Sequence, residues 1–173
     1  MTETSLKTLI CPAFYGVHRD IKQGGHLEYW LKGGRGSTKS SFISIEVVLN
    51  LIKNPEIHAV CYRKVGNKLE TSVYNQILWA INALGLRDYF KAYKNPLKIE
   101  YLPTGQLILF YGLDDPENSR SIKLPFGYIK ILWFEELKQF DGMKEIRDVK
   151  QSVVRGGDEA LIFFSYNPPE DPT

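Results

Sequence analysis

The sequence has 173 residues, of which 43% are hydrophobic, which is enough for one sizeable core and too little for two ordinary domains. Lysine and arginine number 22 against 20 aspartate and glutamate, and the resulting net charge of +2 does not by itself indicate nucleic-acid binding, so any DNA contact must be local. The two cysteines have no metal-ligand spacing, the N-terminus has no signal-peptide pattern, and no apolar run reaches transmembrane length. We therefore expect a cytoplasmic protein with no membrane partner.

The first half of the chain predicts alternating strands and helices after an N-terminal arm. Residues 1–25 mix glycine, proline and aromatic residues without a sustained period, so we expect an arm there. A short strand over 27–32 runs into a glycine-rich segment. Apolar residues at three-to-four spacing predict helices over 39–52 and 69–84, and an apolar run predicts a strand over 57–62. The element order up to this point is β-α-β-α.

The second half of the chain begins with a hairpin. Apolar segments at 97–102 and 106–111 flank a Pro-Thr-Gly turn, which predicts two antiparallel strands. A nearly continuous apolar strand follows over 129–134, then a short helix over 146–153 and a last strand over 160–164. Strands that are apolar on both faces indicate a mostly parallel sheet covered by helices. We predict an α/β fold with a β-hairpin insertion.

The segment between the first strand and the first long helix has the composition of a phosphate-binding loop. It consists of Gly33, Gly34, Arg35, Gly36, Ser37, Thr38, Lys39 and Ser40. Glycines let backbone N–H groups converge on phosphate oxygens, and the helix N-terminus adds its dipole. Lys39 would contact the β and γ phosphates of ATP, and the Ser40 hydroxyl would ligate Mg²⁺. Thr38 replaces the usual second glycine, so its backbone must adopt a conformation that threonine tolerates. The alternative is a glycine-rich turn with an incidental lysine.

Two adjacent carboxylates end the strand over 129–134. Ligands bind at the carboxyl ends of strands in open α/β sheets, so Glu135 and Glu136 indicate a Walker B site. Glu135, in the place of the more usual aspartate, would hold Mg²⁺, and Glu136 would activate the water that attacks the γ-phosphate. The longer glutamate side chain leaves the division of roles within the pair open. Two solvated glutamates at a strand end are the alternative.

Two further polar segments follow predicted strands. Ser165 and Asn167 come directly after the last strand, where they would face the γ-phosphate, although on this segment alone a polar turn before two prolines is the preferred explanation. The acidic run of Asp114, Asp115 and Glu117 includes Pro116 and indicates a turn or a helix start, not a metal site.

With these elements in order, the chain resembles phage terminase large subunits of the PBSX-like group over roughly residues 29–169. The landmarks of the resemblance are GGRGSTKSSF, CYRKVGNKLETSVY, FYGLDDPEN, WFEEL and SYNPP. The resemblance implies an additional-strand P-loop ATPase fold. It also implies that Arg35 stabilises charge at the γ-phosphate, in cis or toward a neighbouring subunit, with an exposed loop arginine as the alternative. Ser165 and Asn167 would couple the nucleotide state to DNA movement.

The resemblance gives weaker indications for other positions. Arg63 and Lys64 match a family landmark, and we weigh contact with nucleotide or DNA equally against a solvated strand end. Phe14, Tyr15 and His18 lie where an adenine-contacting arm would precede the first strand, with ordinary packing as the alternative.

The resemblance also implies the assembly in which the chain works. An ATP- and Mg²⁺-dependent motor ring on a portal protein would package double-stranded DNA, together with a terminase small subunit, in the host bacterial cell. We expect residues 1–25 to form the arm and residues 26–173 to form an ATPase core without the nuclease domain, so that these residues do not cleave DNA. The alternatives are a remnant that binds nucleotide without hydrolysis, and another P-loop enzyme such as a helicase or a small-molecule kinase.

Overall fold

A computed structural model describes residues 3–33, 38–115, 121–136, 142–154 and 159–168 of the chain. Its strands are β1 (Glu28–Lys32), β2 (Ile57–Arg63), β3 (Phe90–Lys94), β4 (Leu97–Tyr101), β5 (Gln106–Gly112), β6 (Tyr128–Glu135) and β7 (Leu161–Tyr166). They form one sheet in the order β1-β7-β6-β2-β5-β4-β3. The four pairs β1–β7, β7–β6, β6–β2 and β2–β5 are parallel. The pairs β5–β4 and β4–β3, at one edge of the sheet, are antiparallel.

Helices cover both faces of this sheet. They are α1 (Glu3–Leu9), α2 (Tyr15–Lys22), α3 (Lys39–Lys53), α4 (Asn75–Ala83) and α5 (Met143–Val153). Single turns of 3₁₀ helix lie at Pro12–Phe14, Gly66–Lys68 and Arg87–Tyr89, and a π-helix lies at Glu70–Tyr74. The first four helices share one hydrophobic cluster with the sheet, and α5 packs into a second cluster on the opposite face.

The two clusters follow from the two-residue period of the strands. In β2, Ala59 and Cys61 point into the first cluster, while Val60 and Tyr62 point into the second. Ala59, Val60, Cys61 and Tyr62 are all fully buried, as expected for a central strand of a parallel sheet with helices on both sides. Burial on both faces explains why the sequence of this strand is a continuous apolar run.

The strand order confirms the predicted fold class. Strand β7 lies between β1, which leads into the glycine-rich segment, and β6, which ends in the two glutamates. This inserted strand is the feature that distinguishes the additional-strand type of P-loop fold. The predicted hairpin is also present as β4 and β5, and β5 continues the central sheet because it pairs in parallel with β2.

Two parts of the chain differ from the sequence-based expectation. The arm over 1–25 contains α1 and α2, although its sequence shows no sustained helical period. Contacts with α3 stabilise this region: Phe14 stacks on Phe42 with 4.8 Å between ring centroids, and Ile21 is buried. Strand β3 was not predicted, because its lysines interrupt any apolar run and only pairing with β4 makes it a strand.

Gly127 permits a close approach between two loops, and its replacement gives a test of the fold. Its φ is +60°, and a Cβ atom there would collide with the carbonyl oxygen of Glu56. We expect Gly127→Ala to lower the free energy of unfolding by about 3 kcal/mol. Gly85→Ala is the matched control, because Gly85 has a φ of +72° and no atom within 4 Å of the added Cβ. Urea denaturation of both variants checks the prediction, and equal losses would contradict it.

Candidate functional site

The carboxyl ends of β1, β7 and β6 meet at one edge of the sheet. In the strand register, Lys32 is opposite Tyr166 and Glu135 is opposite Ser165. The backbone N–H of Gly33 continues this pairing by donating to the carbonyl oxygen of Tyr166, at 3.1 Å. This edge is where open α/β sheets bind ligands, so the predicted site residues lie where the fold places a site.

Lys39 joins three elements at this edge. It is the first residue of α3, and its side chain is 8% exposed. Its Nζ donates to the carbonyl oxygen of Gly33 at 3.1 Å and to Oδ1 of Asn167 at 2.8 Å. Both acceptors are uncharged oxygens, so a phosphate group would be a stronger partner for this ammonium group. The structure therefore brings together the predicted loop lysine and the polar segment after β7.

Thr38 precedes Lys39 in a conformation that explains the missing glycine. Its φ is −85° and its ψ is 14°, which lies in a region open to residues with a Cβ atom. The predicted loop residues Gly34, Arg35, Gly36 and Ser37 lie outside the described residues. Thr38 also contacts Cys11. A hydrogen bond with the Thr38 side chain lowers the pKa of the Cys11 thiol.

Glu135, at the end of β6, pairs with Arg63 at the end of the neighbouring strand β2. Arg63 Nε lies 3.1 Å from Glu135 Oε2, and both side chains are about 15% exposed, at 15% and 14%. The two atoms lack the alignment of a hydrogen bond, so the attraction is mainly electrostatic. Burial raises the pKa of Glu135, and the positive charge of Arg63 opposes that effect.

Glu136 differs from Glu135 in its backbone. Its φ is +59°, in the left-handed region that residues other than glycine rarely adopt. Such a residue costs about 1–3 kcal/mol and is found at functional sites more often than elsewhere. The chain bends at Glu136, directly after β6. Glu135 therefore has an extended backbone, whereas Glu136 has a left-handed one.

A cavity of about 370 Å³ lies beside Glu135. Its lining residues are Ser40, Ser41, Thr71, Ser72, Asn75, Gln76, Trp79, Trp133 and Glu135. Ser40 and Glu135, the two predicted Mg²⁺ ligands, thus share one cavity. The hydroxyl and amide groups around them are hard oxygen donors or hydrogen-bond partners for water, which suits a magnesium ion that keeps several waters.

The wall formed by residues 71–79 had no predicted role. The sequence places polar side chains and Trp79 at 71, 72, 75, 76 and 79, a spacing that repeats about once per helical turn. The signal for a polar helix face was therefore present, but nothing local indicated that this face would border Glu135.

Other predicted positions have contacts of a structural kind. Ser165 is 1% exposed, and its Oγ accepts a hydrogen bond from Trp133 Nε1 at 2.9 Å. Trp133 lines the cavity, so this hydrogen bond links Ser165 to the cavity wall. Lys64 Nζ pairs with Glu145 Oε1 at 2.9 Å. Asp114 Oδ1 accepts a hydrogen bond from the backbone N–H of Gly66 at 3.0 Å, which links the loops after β5 and β2.

The three aromatic and histidine residues proposed for adenine also have partners within the protein. Phe14 stacks on Phe42, the Tyr15 hydroxyl donates to the carbonyl oxygen of Lys7 at 2.6 Å, and His18 Nδ1 contacts the Glu46 carboxylate. Their role toward adenine stays a prediction.

Removal of Arg63 is expected to destabilise the fold in a pH-dependent way. In Arg63→Ala, the ionised form of Glu135 would lose the positive charge that opposes the effect of burial, at a cost of about 2 kcal/mol. Since burial already raises the pKa of Glu135, protonation relieves this cost as the pH falls. The loss of unfolding free energy relative to the parent should thus be larger at about pH 8 than at about pH 5.

The double variant Arg63→Ala/Glu135→Gln is the control for this prediction. It has no carboxyl group to titrate at position 135, so its loss of unfolding free energy relative to Glu135→Gln should be the same at both pH values. A loss in Arg63→Ala that does not change with pH would show that the two side chains are not coupled.

Comparison with known proteins finds relatives of the chain among phage terminase large subunits. A family model described as phage terminase large subunit matches residues 26–172. The terminase large subunit of Bacillus phage SPP1 is 37% identical over 174 residues, covering 98% of this chain and 41% of that protein. The PBSX phage terminase large subunit of Bacillus subtilis strain 168 is 29% identical over 119 residues, covering 68% of this chain and 26% of that protein.

A solved structure gives the same fold. The N-terminal domain of the DNA packaging ATPase from bacteriophage phi29 superposes with a TM-score of 0.64 at 14% identity, covering 92% of this chain and 79% of that domain. The chain spans less than half the length of the two curated relatives described above. Within the described ranges, no helix has the length and apolar character needed to cross a membrane.

Proposed function

The chain belongs to the family of phage terminase large subunits, and from this membership we propose that it is an ATP-hydrolysing motor domain of a DNA-packaging terminase. It would couple the hydrolysis of Mg-ATP to the movement of double-stranded DNA into a procapsid. The observation that carries the proposal is the meeting of Lys39, Asn167 and the Glu135–Glu136 pair at the carboxyl edge of an additional-strand sheet.

ATP would bind at the start of α3. The Lys39 ammonium group is held near the strand ends by two neutral oxygens, which phosphate oxygens can replace as partners. The N-terminus of a helix of 15 residues adds a favourable dipole for the phosphates. We assign the loop residues Gly33 to Ser37 to backbone contacts with the phosphates, on the strength of their sequence.

The residues at the cavity fit a magnesium ion. Ser40 and Glu135 would hold it, together with phosphate oxygens and water. When bound, Mg²⁺ supplies charge neutralisation at the phosphate oxygens of the transition state. Arg63 would have to give up part of its interaction with Glu135 when that carboxylate takes up a metal ligand role.

Glu136 would orient the attacking water and accept its proton. Its turn conformation, which differs from the extended backbone of Glu135, supports a separate task for each carboxylate. Arg35 would stabilise negative charge at the γ-phosphate, in cis or toward a neighbouring subunit. Its place in the sequence, four residues before Lys39, supports this role.

Asn167 would transmit the state of the nucleotide. It binds Lys39 directly, so a phosphate group that takes over the lysine would release the amide oxygen and change the segment after β7. Ser165 would fix the start of that segment through Trp133. The partners of such a motor would be double-stranded DNA, a portal protein, a terminase small subunit and further copies of the chain in a ring.

The test is Mg²⁺-dependent ATP hydrolysis by the chain, with and without double-stranded DNA, beside calorimetric measurement of ATP binding. Hydrolysis that DNA accelerates supports a motor, and a kinase would show no such acceleration. Strand separation during hydrolysis would indicate a helicase and contradict the proposal. Binding without hydrolysis in the presence of DNA would favour a nucleotide-binding remnant.

A further inference from the structure

A π-helix forms the wall of the cavity that faces Glu135. Residues Glu70–Tyr74 make this turn, directly before α4. A π-turn widens the helix by one residue and is found at functional sites with unusual frequency. Here it contributes Thr71 and Ser72 to the cavity, which Ser40 of α3 and Glu135 of β6 also line.

The hydroxyl group of Ser72 has two acceptors within reach. Its Oγ donates to the carbonyl oxygen of Lys68 at 2.6 Å. The Ser72 side chain also contacts the Glu135 carboxylate by a hydrogen bond, which lowers the pKa of Glu135 against the larger opposite effect of burial. A serine hydroxyl has a single proton, and both the carbonyl and an ionised carboxylate only accept, so the proton serves one of them at a time.

The hydroxyl group of the neighbouring Thr71 contacts the carbonyl oxygen of Lys68 but is not among the groups that shift the pKa of Glu135. Its Oγ1 donates to the same carbonyl oxygen of Lys68, at 3.4 Å, and it lines the same cavity. Glu135 is influenced by Arg63 at the end of β2 and by Ser72 of the π-helix. Ser72 is thus the hydroxyl group that joins the π-turn to the carboxylate.

We propose that Ser72 is a positioning residue for Glu135: its hydroxyl group holds the carboxylate toward Ser40 across the cavity, so that the two magnesium ligands are preformed. The inference rests on the proposed function, because it concerns the metal that accompanies ATP. A preformed pair of ligands does not have to be ordered when the metal binds, and this raises affinity. When Glu135 does not accept the hydrogen bond from Ser72, the carbonyl oxygen of Lys68 accepts it.

The experiment compares ATP binding with Mg²⁺ and with EDTA for the parent chain, Ser72→Ala, Ser72→Thr and Thr71→Ala. The ratio of the two dissociation constants measures the contribution of the metal, independently of hydrolysis. We expect Ser72→Ala to reduce this ratio about tenfold, the effect of one hydrogen bond to a charged group. Ser72→Thr should restore it, and Thr71→Ala should leave it unchanged.

The outcomes separate this inference from the function on which it rests. A parent chain that binds no ATP under either condition contradicts the proposed function and the inference together. A parent chain whose binding is strengthened by Mg²⁺, with the same ratio in Ser72→Ala, overturns only the role of Ser72. Equal weakening of binding by Ser72→Ala in Mg²⁺ and in EDTA also overturns it, because a purely structural defect acts on both.

Discussion

Replacing Lys39 by alanine is expected to weaken ATP binding at least about a hundredfold and to remove ATP hydrolysis. In the structure, the ammonium group is almost buried at the strand ends and donates to Gly33 and Asn167. Phosphate oxygens would replace these neutral acceptors, and each charge-assisted hydrogen bond contributes roughly 1.5–3 kcal/mol. Alanine offers no donor and no charge, so two such bonds account for the hundredfold loss.

Calorimetric titration with ATP in the presence of Mg²⁺ measures this loss. Lys53→Ala is the matched control, because Lys53 ends the same helix but is exposed to solvent. It should bind ATP like the parent chain. Thermal unfolding of Lys39→Ala checks that the fold is retained, which we expect because the variant removes two hydrogen bonds and no side chain of the two hydrophobic clusters. Equal affinity in the two variants would remove Lys39 from the nucleotide site.

The second large effect is expected for Glu136→Gln, which should retain ATP binding and lose hydrolysis by roughly a hundredfold to ten-thousandfold. Glutamine preserves the size and the hydrogen-bonding reach of the side chain but cannot accept a proton at the pH of the assay. If Glu136 acts on the attacking water, its contribution exists in the transition state and not in the complex with ATP. The dissociation constant would then stay within about twofold of the parent value.

Glu135→Gln is the matched variant for this second prediction. Glu135 shares its cavity with Ser40, so loss of its charge should weaken the Mg²⁺-dependent part of ATP binding as well as turnover. Single-turnover hydrolysis beside calorimetry separates the two phenotypes. Retained binding with lost hydrolysis in Glu135→Gln, and weakened Mg²⁺-dependent binding in Glu136→Gln, would reverse the two assignments.

The parts of the fold that could be predicted are those whose signals are local. Helix α3 was predicted over 39–52 and extends over Lys39–Lys53, because apolar residues recur along one face of the helix and Asn54-Pro55 ends it. The helix predicted from residue 69 was correct in position, but its first turn is a π-helix. No pattern in the sequence distinguishes that turn from an ordinary helical turn.

The site was predicted in part for the same reason. Lys39 could be placed at the start of a helix and Glu135 at the end of a strand, because each precedes or follows a recognisable apolar run. The pairing of Arg63 with Glu135 could not be predicted, because it depends on β2 and β6 being neighbours in the sheet. An arginine after a strand has no local feature that identifies its partner.

The sequence by itself determined the α/β class, the loop with Lys39 and the carboxylate pair, because each depends on residues that are close together in the chain. Tertiary structure alone decided that β7 lies between β1 and β6, and that Asn167 binds a lysine 128 residues before it. It also decided that Ser72 borders Glu135. The physical reason is that strand order and helix docking are selected by burial of the whole apolar surface, a quantity that no short segment contains.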